Sequence, residues 1–463
     1  MPAINSQFFE TQQVLTYTTT TPNGFYGPTH GWNSFGLQAN PTTMSPSFVF
    51  NQTSVMTQCE VLATTLAGSG YTYCSLDSGW SIGDHGDVYG RLVNEPDIFP
   101  NMTALADYLH AIGLQLGVYV VPGAFISDEN KTVYDTDVVI GSICSGDNGL
   151  DRCNFNYTLY GVQEWHNSVV NLFAEWGVDF IKLDFITPGS PSNGANLPDD
   201  SSGAVLAFHR AIAQASRPMR LNIGWKLDRS RKLNAIWNQT SESVRVDQDI
   251  NNGGSSTFVD WSTVQRTIDN YRSYISVRRR DDGVGVPMAV HPSLDALYVG
   301  NNASVSGVTD VQRQTIMTHW IGAGADLIID SDLTNLDDFG IALLTNNEAL
   351  AVADFTARYP MQPRNPGTGG YDSQQLQAWI AGPGEDGMAI VVLVNYGPDL
   401  ASGGYATYEP GTLKVSVTWR DLGLAGNSYS VRDVWNDQDL GVIATGLSAT
   451  LDEGESTLYI VQA

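Results

Sequence analysis

Between Thr29 and Asp330 the sequence alternates, about eight times, between a short apolar run and a longer stretch with apolar residues at helical spacing. The apolar runs are Thr29–Phe35, Tyr71–Asp77, Gln115–Val121, Val178–Asp184, Arg220–Gly224, Val244–Asp249, Ala296–Val299 and Asp326–Asp330. The helical stretches between them are Phe48–Ala67, Met102–Ile112, Val162–Trp176, Ala204–Ala215, Leu233–Gln239, Thr263–Val277 and Val311–Gly322. Gly68, Gly113 and Gly177 follow three of these directly, as residues suited to the left-handed end of a helix. Runs that are apolar at nearly every position belong to strands buried on both faces, and helices cover both faces of parallel sheets. Eight such units predict an α/β fold, a (β/α)8 barrel within residues 1–355. Residues 1–28, rich in Thr, Asn, Gln and Pro, read as a lead-in along its surface.

The pattern changes after Phe355. Arg358–Gly370 is rich in Pro and Gly, carries no periodicity and reads as a linker. Beyond it, the runs Leu376–Ile380, Met388–Val394, Leu413–Trp419, Tyr429–Val434 and Leu451–Val461 are separated by turn signals. They predict a C-terminal antiparallel β-sandwich, with residues 356–463 as a second, architectural domain.

A barrel brings the ends of its strands to one rim, however distant they are in sequence. The residues so gathered are Trp32 and Phe35, then Asp77, Ser78 and Trp80, then Lys182 and Asp184. Gly224 and Trp225 follow the fifth strand, and Arg245, Asp247 and Asp249 close the sixth. Two of these strands end in Asp with a basic residue close by, and a pair of carboxylates is what glycoside hydrolysis requires. Aromatic faces cover the C–H side of a sugar ring, and charged groups hold its hydroxyls by short hydrogen bonds.

Charge narrows the partners. Lys+Arg 23 against Asp+Glu 49 gives −26, which argues against nucleic acid or an anionic membrane. No apolar run reaches the length of a membrane span. Met1–Asn5 shows no basic-then-apolar leader, but sequons at Asn51, Asn101, Asn130, Asn156, Asn238 and Asn302 lead to the expectation of a secreted glycoprotein. Cys59, Cys74, Cys144 and Cys153 allow three pairings. Cys144 with Cys153, bracketing a Gly/Asp/Asn-rich loop, is the preferred one, and it leaves Cys59 with Cys74. The spacings resemble no zinc site, so neither metal nor cofactor is expected. Nothing in the sequence sets an oligomeric state.

In this order the motifs resemble glycoside hydrolase family 27, the α-galactosidase and α-N-acetylgalactosaminidase family, over nearly the whole chain. Gly31-Trp32-Asn33-Ser34-Phe35 is similar to its opening Gly-Trp-Asn-Ser-Trp, and Leu76-Asp77-Ser78-Gly79-Trp80 to its Asp-Asp-Cys/Gly-Trp. Asn94–Gly113 resembles its Phe-Pro helix, Ile181-Lys182-Leu183-Asp184 its Lys-x-Asp strand, and Arg245–Asp249 keeps its Arg-x-x-x-Asp spacing. Asp295–Asn301 resembles the late barrel strand, and the tail after Val434 the family's C-terminal sandwich. The resemblance implies a retaining double displacement with Asp184 as nucleophile and Asp249 as general acid/base. It further implies Lys182 and Arg245 on ring hydroxyls, Phe35 or Trp225 stacked on the sugar, and Asp77, Ser78 and Trp80 lining its far side. On this reading Lys182 holds Asp184 ionised, and Asp249 starts protonated in less solvated or more anionic surroundings.

The departures concern the sugar rather than the reaction. The family's second Asp after strand two is Ser78, its second Trp is Phe35, and its Cys-Glu-Trp after strand five is Ile223-Gly224-Trp225. The primary expectation is an exo-acting enzyme on terminal α-galactosides with a carbohydrate partner. The alternatives are a β-L-arabinopyranoside, which has no O6 contact to lose, an α-1,6-glucan, and a barrel that binds saccharide without cleaving it.

Overall fold

The computed structural model describes residues 11–43, 48–189, 195–281 and 287–463. Eight parallel strands form one curled sheet: β1 (His30–Asn33), β2 (Tyr73–Leu76), β3 (Gln115–Val120), β4 (Val178–Leu183), β5 (Arg220–Ile223), β6 (Ser243–Arg245), β7 (His291–Ser293) and β8 (Leu327–Ile329). The sheet order is β8-β1-β2-β3-β4-β5-β6-β7, so strands adjacent in sequence are adjacent in space. At the seam between β7 and β8, Leu297 bridges Ile329 in parallel and its N–H donates to Ile328 O at 2.6 Å.

The covering helices are α1 (Gln52–Val61), α2 (Met102–Ala111), α3 (Val162–Trp176), α4 (Ser202–Gln214), α5 (Arg231–Thr240), α6 (Trp261–Asp281) and α7 (Asp310–Ala323). Two more, α8 (Asp338–Thr345) and α9 (Asn347–Thr356), follow β8. Five of these starts are chemically marked: Asn51, Asn101, Thr309, Asp337 and Asn346 accept a first-turn N–H through their side chains. Gly177 ends α3 in the left-handed conformation.

The structure moves several expected boundaries. The seventh strand is His291–Ser293, not Ala296–Val299. Pro292 disguises it, since a strand interior rarely carries a residue without an N–H. β6 stops at Arg245, so Asp247 and Asp249 lie on the loop that follows. The stretch read as a linker contains a strand, β9 (Gln362–Arg364), and the Cys144–Cys153 loop is a hairpin of Cys144–Asp147 with Cys153–Phe155. Both cysteine pairs, Cys59–Cys74 and Cys144–Cys153, are disulfides, with Cα separations of 6.0 and 5.5 Å. The first ten residues of the lead-in lie outside the described ones; Leu15 and Tyr17 are buried in the core.

The C-terminal strands are β9, β10 (Leu376–Ala381), β11 (Met388–Asn395), β12 (Leu413–Thr418), β13 (Ser428–Asp433), β14 (Gln438–Ala444), β15 (Gly446–Leu451) and β16 (Tyr459–Gln462). One antiparallel sheet runs β9-β10-β11-β16-β13-β14, and β12 pairs with β15. The run read as Leu451–Val461 is thus the end of β15 and a separate β16. Between the sheets lies a second apolar core, including Ile380, Val391, Val415, Trp419 and Val431. The barrel meets the sandwich through Tyr396, whose hydroxyl is 2.8 Å from His319 Nε2 and accepts from Trp379 Nε1 at 2.9 Å.

Candidate active site

The C-terminal ends of β1 to β4 build one half of the site. Lys182 Nζ on β4 lies 2.8 Å from Asp77 Oδ2 beyond β2. The second Asp77 oxygen accepts the Ser78 N–H at 2.9 Å, and Ser34 Oγ accepts the Asp77 N–H. Asp77 is buried and fully engaged, whereas Ser78 is exposed. The Lys182 ammonium sits over the rings of Phe35 and Tyr119, at 5.5 and 5.6 Å from their centroids.

Asp184 follows β4 directly. Its Oδ1 accepts the Phe185 N–H at 2.8 Å, and the Tyr119 hydroxyl hydrogen-bonds to it. Phe185 adopts φ +55°, which turns the chain sharply and brings its ring 4.9 Å from that of Trp225. The end of β5 passes so close that a Cβ on Gly224 would stand 2.6 Å from Asp184 Oδ1.

Arg245, at the end of β6, completes the site. Its Nη2 is 2.6 Å from Asp249 Oδ1 and its Nη1 is 3.1 Å from Asp295 Oδ1. Asp249 is the open member, its side chain 38% exposed. Asp247 points away, buried against Arg266 and Asn270. The charges of Asp184 and Asp249 act on each other and on Lys182 and Arg245, so one barrel mouth holds both carboxylates and both cations. Beside them lies a cavity whose lining includes Lys182, Asn222, Arg245, Asp295 and Asp330 together with apolar Phe180 and Ile328.

The electrostatics reverse one expectation. Burial pushes the Asp184 carboxyl above its ordinary value, and Lys182 offsets this only in part. Burial acts the same way on Asp249, but Arg245 and then Lys182 more than compensate and hold it below the ordinary range. In the free enzyme Asp184 therefore holds a proton more readily than Asp249, because Lys182 offsets the burial of Asp184 only in part, while Arg245 and Lys182 together more than offset that of Asp249.

Of the sequence-selected residues, Phe35, Asp77, Ser78, Lys182, Asp184, Trp225, Arg245 and Asp249 come together. Trp80 does not line the sugar's far side. It is 1% exposed, donates through Nε1 to Tyr119 O and packs edge-on against Phe173 and Trp176. Three residues were not selected. Tyr119 lies inside a strand, where only its inward position could mark it. Asp295 and Asp330 end or follow the last two strands, and Asp330 matches the strand-end rule that selected Asp77 and Asp184. Among the described residues no cluster of metal-ligating side chains occurs, and no helix is long and apolar enough to cross a membrane.

Comparison with known proteins identifies the family and the fold. The family described as Alpha galactosidase A matches residues 28–135 and 126–354, and the Alpha galactosidase C-terminal beta sandwich domain matches residues 373–461. Alpha-galactosidase 3 of Hypocrea jecorina is 45% identical over 450 residues, covering 95% of this chain and 71% of that protein. Putative alpha-galactosidase 8 of Emericella nidulans is 38% identical over 426 residues, 90% of this chain and 84% of the relative. Among solved structures, a GH27 β-L-arabinopyranosidase from Geobacillus stearothermophilus superposes with a TM-score of 0.75 at 21% identity, over 94% of this chain and 96% of that one. Alpha-galactosidase I from Mortierella vinacea gives 0.66 at 18% identity, with coverage of 94% and 96%. At those identities the structures speak for the fold.

Proposed function

Because the chain belongs to the α-galactosidase family of glycoside hydrolases, family 27, we propose that it is a retaining exo-glycosidase that removes terminal α-galactosyl residues from carbohydrates. The observation that carries this reading is Arg245 bound to Asp249 at 2.6 Å while its charge also acts on Asp184. Both carboxylates thus belong to one cationic site.

In the proposed reaction, Asp184 attacks the anomeric carbon as the bond to the aglycone breaks, and Asp249 gives its proton to the departing oxygen. The resulting ester on Asp184 is opened by a water that Asp249 deprotonates, which restores the starting anomer. Lys182, held by Asp77, donates to a ring hydroxyl, and Phe35 and Trp225 offer apolar faces to the ring. A sugar hydroxyl that takes up an Arg245 N–H loosens the hold on Asp249, so binding itself moves the proton from Asp184 to Asp249. Residues 1–355 carry this chemistry, and residues 356–463 support the barrel.

Ser78 favours a second reading of the substrate, a β-L-arabinopyranoside. A short hydroxyl replaces the family's second carboxylate, and a pyranose without a C6 hydroxymethyl gives up nothing there. We further infer that the protein is secreted and glycosylated: Asn101, Asn130, Asn156 and Asn302 are exposed sequons, and both disulfides suit an oxidising compartment.

A panel of nitrophenyl glycosides, combined with a slow fluoroglycoside that traps the ester, tests these readings. Turnover of the α-galactoside with the label on Asp184 is expected. A label on Asp249 exchanges the two roles. Turnover of no sugar by wild type, with saccharide binding retained, leaves a binding barrel instead.

A further inference from the structure

Asp295, on the loop after β7, stands in the left-handed conformation at φ +78°. Non-glycine residues seldom adopt it, and Asp and Asn pay least for it. Three contacts fix it there. Trp320 Nε1 of α7 donates to its carbonyl at 2.8 Å, Arg245 Nη1 lies 3.1 Å from its Oδ1, and its Oδ2 accepts the Ile250 N–H at 2.8 Å. Ile250 is the residue immediately after Asp249. One guanidinium, 7% exposed, therefore serves two carboxylates, and the second also grips the backbone that carries the first.

Among the described residues no other carboxylate contacts both Arg245 and the Ile250 N–H. Asp249 faces Arg245 from the end of β6, Lys182 and Asp184 from β4 and the residue after it, Tyr119 from β3, and Arg266 from α6, which donates to its carbonyl at 2.7 Å. Asp295 faces Arg245, Asp249 and Lys182, with Asp330 and Tyr298 beyond. Among the described residues, only the Asp295 carboxylate shares a guanidinium with the Asp249 carboxylate by direct contact. A like charge across one cation raises the proton affinity of its neighbour.

We propose that Asp295 is a positioning residue for the acid/base step: it divides Arg245 between two carboxylates and thereby keeps a proton on Asp249 when the aglycone leaves. The role rests on the assignment of Asp249 as acid/base. Without Asp295 the guanidinium belongs to Asp249 alone, and the proton departs at lower pH.

The test is Asp295→Asn, which keeps an acceptor for the Ile250 N–H and tolerates φ +78°. Its basic limb of kcat/KM is expected to move down by on the order of one pH unit. On that limb a glycoside with a poor leaving group should lose about 10-fold or more, and a dinitrophenyl glycoside, which leaves without a proton, no more than about 2-fold. Arg245→Lys removes the fixed fork whose two nitrogens each hold one carboxylate, so adding Asp295→Asn to it should change the limb less than it does in wild type. An unmoved limb with equal losses on both substrates overturns the proposal and leaves Asp295 a structural strut. Asp249→Ala on the same two substrates separates the underlying assignment. If it shows no dependence on the leaving group, Asp249 is not the acid, and the role of Asp295 falls with it.

Discussion

Gly224 and Asp184 occupy one another's space: a methyl group at position 224 would lie 2.6 Å from Asp184 Oδ1, well inside contact distance. The same oxygen is held by the Phe185 N–H at 2.8 Å, so it cannot yield without losing that bond. Gly224→Ala should therefore displace the proposed nucleophile while leaving the barrel folded. We expect kcat on a nitrophenyl α-galactoside to fall by about 10², with a melting temperature close to wild type. Unchanged kcat would mean that Asp184 does not need its present position.

The Ser78 backbone is pinned on both sides, its N–H to Asp77 Oδ1 at 2.9 Å and its carbonyl to Gln38 Nε2 at 2.8 Å. A longer side chain there starts from a fixed origin. Ser78→Asp restores a charged acceptor beside Lys182 and Asp77, and a site built to bind a hydroxyl discriminates strongly against a sugar that lacks it. The ratio of kcat/KM for α-galactoside over β-L-arabinopyranoside is expected to rise about 10-fold or more. A ratio that stays put would show that O6 lies elsewhere.

Most of the barrel was legible because buried parallel strands and amphipathic helices write different periods, and Val162–Trp176 was bounded to the residue. The misreadings have physical sources. Pro292 masks β7, and the loop after it, Ala296–Val299, is apolar enough to imitate the strand it replaces. In β14 every residue is exposed or half-exposed, so no inward-facing period exists to detect. At the site, strand-end position found Asp184 and Arg245, but it could not show that Trp80 turns inward. Nor could it show that Arg245 prefers Asp249 and Asp295 to the nearer Asp247, because the bend after β6 decides that.

The junction between barrel and sandwich has its own polar hinge pin. Tyr396 joins His319 and Trp379 through one hydroxyl, all three buried, and His319 Nδ1 is already committed to Thr315 O at 2.9 Å. Tyr396→Phe leaves the buried His319 Nε2 and Trp379 Nε1 without this hydroxyl partner. A loss of about 2 kcal/mol or more is expected, read as a lower midpoint in denaturant unfolding. Turnover by the folded fraction should match wild type, since no group of the barrel mouth is touched.

Glu242 makes stability depend on pH. It is buried beneath β5 and β6, and its oxygens accept from Thr21 Oγ1, the Asn23 N–H, Asn23 Nδ2 and the Leu221 N–H. It thereby ties the lead-in to the barrel floor. Burial raises its carboxyl to about 7, against the lowering pull of these donors and of Arg220. Asp326, bound to the Thr29 N–H and Asn222 on the same floor, is raised to about 6 for the same reason. A carboxyl with a raised native pKa binds its proton more tightly in the fold than in the unfolded chain. Its contribution is therefore complete below the ordinary carboxylate range and is lost as pH rises to the native value. For Glu242 the loss is on the order of 3 kcal/mol, most of it complete by pH 7. The melting temperature should accordingly fall between about pH 4.5 and 7, with the Asp326 share exhausted near pH 6. Glu242→Gln, which cannot titrate, should abolish the remaining fall above pH 6 in scanning calorimetry. A wild-type protein that melts higher at pH 7.5 than at pH 5 would show that the donors around Glu242 outweigh its burial and keep it ionised.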